Sequence, residues 1–447
     1  MKIRFLSLAR PEVLILIITM IALAKVGIAQ SNEQTSLVVL APAHPHGVQM
    51  QLAYKSDFAR NVAVYGPSEQ DMRVSYLNAI ERDNRNSDAK ERWQLDIYTG
   101  PDYFEKMLSE KKGSTVIVAS NNQYKADHIK KSSQIGMNVL ADKPMAITGD
   151  DFRKLELSFS AAQTKGNYVS DLPSMSMRRF VVYLIQKELR ANPDVFGELI
   201  MGSAENPAIL QSNHHYYWKG TTRPTWFFDV RQQGNGLTDV TTHLVDIVQW
   251  SGFQAQPIDY RKNIHVYEAR TWTTDITPTQ FRTATKKEEY SAFLKPYLQD
   301  SILHVHANGK IKYTLNDVHV QIVSTWGFKS EDGEGDWYES VMNGSKATLR
   351  IKRGNLMDLF IEPTNVDHAD LEQALKRAFN NLIKKYPYLS LSRESYGWRI
   401  ASTKRSVARE AKLIPPSPTE QQNMLAKYYT TTTAHEFFQR SQINKTQ

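Results

Sequence analysis

No cysteine occurs among the 447 residues. Disulfides, thiolate metal sites, a cysteine nucleophile and a lipoprotein anchor are therefore excluded. Long apolar runs are scarce as well. The longest, Val13 to Ala24, has twelve residues, short of the roughly 20 that a membrane helix needs. Basic residues are scattered among acidic ones, with no basic run or aromatic-interleaved stripe, so nucleic-acid binding is not expected. What is present is ordinary for a globular protein: 41% apolar and 23% charged residues, in a chain long enough for two or three domains.

Residues 1–29 read as a secretory signal peptide. Lys2, Arg4 and Arg10 precede the apolar run, and Gly27-Ile28-Ala29 supplies small residues at the usual cleavage spacing. Cleavage would remove four basic and one acidic side chain, leaving a net charge of +5 (51 against 46). The expectation is an exported, periplasmic protein that keeps no membrane span after cleavage; an uncleaved anchor is the alternative.

Residues 35–171 alternate short β-rich runs with helical ones. Ser36–Leu40 is a continuous apolar run, as a strand buried on both faces requires. Val62–Tyr65, Thr115–Ala119, Val139–Ala141 and Tyr168–Ser170 read as further strands, with helices starting near Gly47, around Tyr103–Leu108 and around Lys125–Ile135. Repeated β-α-β units of this length imply a parallel sheet covered by helices. Past Asp171 the texture changes. Helices are predicted over Arg178–Arg190 and Thr238–Trp250, and strands over Phe196–Met201, Ile302–His306, Lys310–Leu315, His319–Trp326 and Ala347–Ile351, with tight turns at Asn308-Gly309 and Asn343-Gly344. Ala369–Lys385 reads as a helix and Leu389–Ile400 as a hairpin. The expected fold class is α/β: a Rossmann-like parallel domain over 35–171, then an α+β domain with a mainly antiparallel sheet over 172–416. A helical tail follows over 417–447, weakened by the four β-branched residues Thr430–Thr433.

Two segments together carry a resemblance. Val116–Asn122, followed by Gly136, Val139 and Asp142-Lys143-Pro144, resembles the third-strand and "EKP" signature of the Gfo/Idh/MocA oxidoreductases. Gly234-Asn-Gly236-Leu-Thr-Asp239-Val-Thr-Thr-His243-Leu-Val-Asp246 is similar to that family's G-G-G-x-x-x-D-x-x-x-H-x-x-D segment. Ala41-Pro-Ala-His44-Pro-His46 and Trp226–Asp229 resemble a secreted, Bacteroidetes-type branch with its own C-terminal region. The resemblance implies an NAD(P)-dependent oxidoreductase, yet the chain departs from the pattern. Ala41, Ala43 and His46 stand where a dinucleotide turn has G-x-G-x-x-G, and Tyr65-Gly66 where an acid would hold the ribose.

Asp239 and His243 are four apart on the predicted helix, with Asp246 one turn further, so they share a face. A carboxylate beside an imidazole orients it; the competing reading is a dipole-favoured Asp with a satisfied interior His. Gly234 and Gly236 would let a ligand approach the backbone. Lys143 follows a parallel strand at the carboxyl edge, where such sheets bind ligands. By resemblance, His243 takes a hydroxyl proton as hydride leaves a sugar carbon, Lys143 assists and Asp239 orients. Ala41, Ala43, His44, His46, Asn122, Asp142 and Lys143 are the expected cofactor contacts, to NAD or NADP held tightly enough to survive export. His214, His215, Tyr216, Arg223, Trp226 and Asp246 are the expected sugar contacts, with a structural loop as the alternative for 214–219. The pairs His44-x-His46, His214-His215 and His304-x-His306 lack a nearby carboxylate set, so no metal is expected. Rival functions are an NAD-dependent glycosidase working by oxidation and elimination, and an inactive carbohydrate-binding relative. Family analogy also implies a homo-oligomer.

Overall fold

A computed structural model describes residues 34–253, 256–331, 333, 335–352, 357–364, 366–409 and 412–446. The signal-peptide reading of 1–29 lies outside these residues. Among the described residues, no helix is long and apolar enough to cross a membrane.

Six strands form the first sheet: β1 (Thr35–Leu40), β2 (Phe58–Gly66), β3 (Gln94–Thr99), β4 (Thr115–Val118), β5 (Asn138–Ala141) and β6 (Val169–Ser170), in the order β3-β2-β1-β4-β5-β6 and parallel throughout. Alternation explains the continuous apolar run of β1. Leu37 and Val39 enter a core beneath one face with Val62, Val64 and Ile117. Val38 and Leu40 enter a core beneath the other with Tyr65, Val116 and Val118. Both faces are thus covered, as crossover helices require. The order reverses between β1 and β4, which is where such sheets open a crevice for ligands.

The second sheet has ten strands: β7 (Ile209–Tyr216), β8 (Ile264–Ile276), β9 (Leu298–Gln299), β10 (Ile302–Leu315), β11 (Val318–Gly327), β12 (Trp337–Asn343), β13 (Ala347–Lys352), β14 (Asp358–Pro363), β15 (Leu389–Glu394) and β16 (Gly397–Ser402). Their order is β15-β16-β14-β13-β12-β7-β11-β10-β8, with β9 on β10. All pairs are antiparallel except β7–β11. Three expectations are corrected here. Phe196–Met201 is not a strand; only an isolated bridge, Leu199 to Gly344, forms there. The strand precedes β8 as β7, whose polar residues concealed it. Asn308-Gly309 makes no turn, because β10 runs through both residues with a register shift against β8. A Cβ at Gly309 would lie 2.2 Å from the Gly236 carbonyl oxygen, and one at Gly236 would lie 2.1 Å from the Asn308 carbonyl carbon. These glycines let a loop and a strand touch, not a ligand and a backbone.

The helix Pro418–Thr446 is continuous through the four threonines. Thr430 and Thr432 satisfy their buried hydroxyls by donating to the carbonyls of Ala426 and Tyr428, so β-branching is overridden by packing. Its Met424 and Tyr428 belong to a core of the parallel half, while Ala426 and Ala434 belong to the core of the second. The tail is a shared buttress between the halves.

Candidate active site

β1 ends at Leu40, and the turn that follows decides what the sheet edge can hold. Ala41 takes φ +44, the left-handed conformation that glycine favours. Gly47, in the first turn of the helix His46–Ala53, packs so closely that a Cβ there would meet Ala119 Cβ at 2.9 Å. The turn therefore has a dinucleotide turn's shape, with close helix–strand contact moved one residue along. A cleft of about 810 Å3 opens beside it, lined on one side by Ala41, Ala43, Pro67, Gln70 and Asp71 and on the other by Arg223 and Trp226. That volume suits a cofactor-sized ligand, so the adenosine end of a dinucleotide fits. The amides are differently disposed. Ala43 and His44 donate to the Ala119 carbonyl, both at 3.1 Å, and Pro45 has no N–H.

The same turn meets a largely buried set of charged side chains. Asp142, at the end of β5, is buried. One carboxylate oxygen is 2.5 Å from His46 Nδ1, the other 3.0 Å from His44 Nδ1, and Lys125 Nζ is 3.8 Å away. Burial would raise the Asp142 pKa, but the two imidazoles and Lys125 outweigh it and hold the carboxyl well below its ordinary value. Lys125, itself buried, donates to Asn122 Oδ1 at 2.6 Å, and burial brings its pKa down to about 8. Asn122 donates to the Gln233 carbonyl at 2.7 Å, and Asn121 to Gln232 Oε1 at 2.7 Å. Asn122 is thus committed to joining the two halves, where a cofactor contact was expected.

The second half supplies the facing groups. Lys143, whose peptide bond to Pro144 is cis, reaches across to Asp239 Oδ1 at 3.4 Å. The helix begins at Thr241, three residues later than expected, so Asp239 sits in the turn before it and pairs with Lys143, not with His243. His243 Nδ1 is buried and has no hydrogen-bond partner among the described residues. Burial, then the charges of Lys143, His46 and His215, hold its pKa well below the ordinary value. His215 points inward from β7 and its Nδ1 is 3.0 Å from Asp336; burial lowers its pKa too. Asp336 also pairs with Lys219.

Three expected sugar contacts lie elsewhere. His214 and Tyr216 flank His215 in a strand and so face the opposite side of the sheet; His214 bonds to Thr325 and stacks on Trp337. Asp246 is buried in a bidentate pair with Arg178, at 2.7 and 2.8 Å, and lies 3.3 Å from Lys427 of the last helix. It braces the His243 helix instead of meeting a ligand. Sequence reasoning missed Lys125 and Asp336; Lys219 lay within the 214–219 segment that was read as a sugar pocket or a structured loop. Of the two missed residues only Lys125 carried a signal, three residues past Asn122 on one helix face.

A parallel dinucleotide-type sheet that delivers a lysine to a carboxylate from a second domain, beside a buried imidazole, is the arrangement of a two-domain oxidoreductase. Comparison with known proteins gives the family. Residues 53–170 match the "Oxidoreductase family, NAD-binding Rossmann fold" model of Gfo/Idh/MocA proteins, and 185–414 match the "Putative oxidoreductase C terminal domain" model. The crystal structure of a "putative oxidoreductase" from Parabacteroides merdae ATCC 43184 is 36% identical, covers 93% of this chain and 100% of its own, and superposes with a TM-score of 0.86. A "putative oxidoreductase" from Thermotoga maritima (12% identity, 89% and 96% coverage, TM-score 0.54) and apo levoglucosan dehydrogenase (13%, 90% and 91%, 0.51) share the fold. No curated protein matches in sequence. The chain belongs to the Gfo/Idh/MocA family and is an NAD(P)-dependent oxidoreductase.

Proposed function

We propose that the enzyme oxidises a hydroxyl-bearing carbon of a sugar or glycoside, with NAD in preference to NADP. One observation carries the reading: Lys143 from the parallel half and Asp239 from the second meet at 3.4 Å, beside the buried His243. The cofactor, when bound, supplies the hydride acceptor. The cleft walls at Ala41, Ala43, Pro67, Gln70 and Asp71 would hold its adenosine end. Asp71 offers a carboxylate to ribose hydroxyls and would repel a 2′-phosphate. His243, kept neutral by burial and by Lys143, takes the substrate hydroxyl proton as the carbon loses hydride, leaving a ketone. Lys143 bonds the same oxygen, and Asp239 fixes the position of the ammonium. His215, Arg223 and Trp226 bind the sugar. Levoglucosan dehydrogenase and the gentamicin-pathway enzyme GenD2 share this architecture, which supports a sugar-like substrate class.

On this reading the chain is exported through residues 1–29, acts in the periplasm on a small carbohydrate, and keeps its dinucleotide tightly bound. Lys143→Ala and His243→Ala are expected to lower turnover about 10²- to 10⁴-fold with circular dichroism unchanged. Unaltered turnover in both overturns the assignment. With a panel of sugars and glycosides, net NADH accumulation supports dehydrogenation; aglycone release without net NADH selects oxidation–elimination instead.

A further inference from the structure

The turn after β1 holds more than a cofactor wall. His44 and His46 are two apart in a bend, and both rings come to one carboxylate, Asp142, from 96 residues further along the chain. One ligand atom from each of the three lies within 4.8 Å of the others. The set is two imidazole nitrogens and one carboxylate, the donor chemistry of divalent first-row metals. Ligand bonds of about 2.0–2.2 Å set tetrahedral donors roughly 3.3 Å apart, so seating an ion opens the His46–Asp142 contact of 2.5 Å and draws in the widest separation in the set.

Hydrogen bonding alone leaves the cluster frustrated. His44 Nδ1 is 3.3 Å from the His46 backbone N–H, which donates to it, and 3.0 Å from an Asp142 oxygen, which can only accept. A deprotonated Nδ1 turns its lone pair toward the carboxylate, and a protonated one meets the incoming N–H. No tautomer satisfies both contacts. A cation does what a proton cannot, because a nitrogen lone pair and both carboxylate oxygens can face it together. Lys125 supplies one countercharge to Asp142, at 3.8 Å and from its own bond to Asn122. The imidazole side chains keep 18% and 25% of their exposure while the carboxylate keeps 1%, so an ion has an entry path and a fixed inner anchor.

The other histidine pairs show that this is not a property of paired histidines in general. His304 meets Asp275 and His306 meets Thr271, both at the surface. His214 and His215 point to opposite faces of β7. Only the 44/46 pair converges among the described residues.

We propose that His44, His46 and Asp142 form a binding site for one divalent transition-metal ion of the zinc class, next to Lys143 in the chain. An oxygen ligand completing its coordination would meet a Lewis acid there.

The test is direct metal analysis of the full-length protein, with and without NAD. After dialysis against zinc chloride and removal of free metal, about one zinc per chain is expected. Cobalt(II) titration is expected to give the visible absorption of low-coordinate cobalt bound to nitrogen and oxygen. His46→Ala and Asp142→Asn are expected to lower metal affinity at least about tenfold, while His304→Ala leaves it unchanged. A wild-type protein that takes up neither ion overturns the site without any variant, so misfolding of a variant cannot shelter it. Metal uptake lost equally in His304→Ala also overturns it. NAD affinity, measured separately in the metal-free protein, tests the oxidoreductase chemistry on its own.

Discussion

The turn at residues 41–47 and strand β7 each present two histidines close together in sequence, and the backbone gives them opposite fates. In the turn, a residue between the two lets both rings fold onto Asp142. In the strand, adjacency sends His215 inward to Asp336 and His214 outward to Thr325. Spacing acquires chemical meaning only through local conformation: two residues apart converge in a bend, and neighbours in a strand diverge. Each inward histidine is also met by a carboxylate from a distant part of the chain, so the folded sheet edge, not the local motif, assembles the site.

The sharpest way to break this comparison is to truncate the two strand histidines separately. His215→Ala is expected to lower kcat/KM about 10- to 100-fold, the cost of losing a charged or buried hydrogen bond to substrate. His214→Ala, on the far face, is expected to change it less than about threefold. Equal losses in steady-state assays would show that alternation along β7 does not separate the two roles. A smaller but still measurable effect is expected from Gly309→Ala. Its methyl would strike the Gly236 carbonyl at 2.2 Å, forcing the loop that leads to Asp239 away from β10. Overpacking of this kind costs about 1–3 kcal/mol. The melting temperature should fall and kcat should fall with it, because Lys143 loses its aligned partner. A fall in melting temperature alone would make the contact purely structural.

Much of the parallel half was legible because its strands are buried on both faces and read as unbroken apolar runs. β3 was not, since it is an edge strand whose Gln94, Asp96 and Thr99 face solvent. β7 escaped for a related reason: Gln211 and Asn213 are buried polar residues inside a sheet, and periodicity in hydrophobicity cannot see them. The pairing of Lys143, Asp239 and His243 in one place followed from two motifs. Their connections did not, because the sequence pattern placed Asp239 in the first turn of a helix from Thr238, whereas the helix begins at Thr241. Asp142 looked like a conservative stand-in within one motif. That it bridges two histidines depends on β1 and β5 flanking β4 in the sheet, a tertiary fact with no local signature.

The smallest effect expected concerns the carboxylate that holds the inward strand histidine. Burial alone would raise the Asp336 pKa, but His215 and Lys219 hold it well below the ordinary range. A carboxyl whose folded pKa is depressed contributes stability above its unfolded pKa, near 3.9, and loses it as pH falls toward the folded value. The difference in unfolding free energy between wild type and Asp336→Asn should therefore be constant above about pH 5 and shrink as the solution is acidified below about pH 4. Its size should be of order 2 kcal/mol, discounted where Lys219 reaches solvent. Denaturant melts of both proteins at a series of pH values measure it. A gap that widens on acidification would mean that Asp336 is protonated at neutral pH and donates to His215. The two histidine regions would then differ in the charge of their partner as well as in geometry.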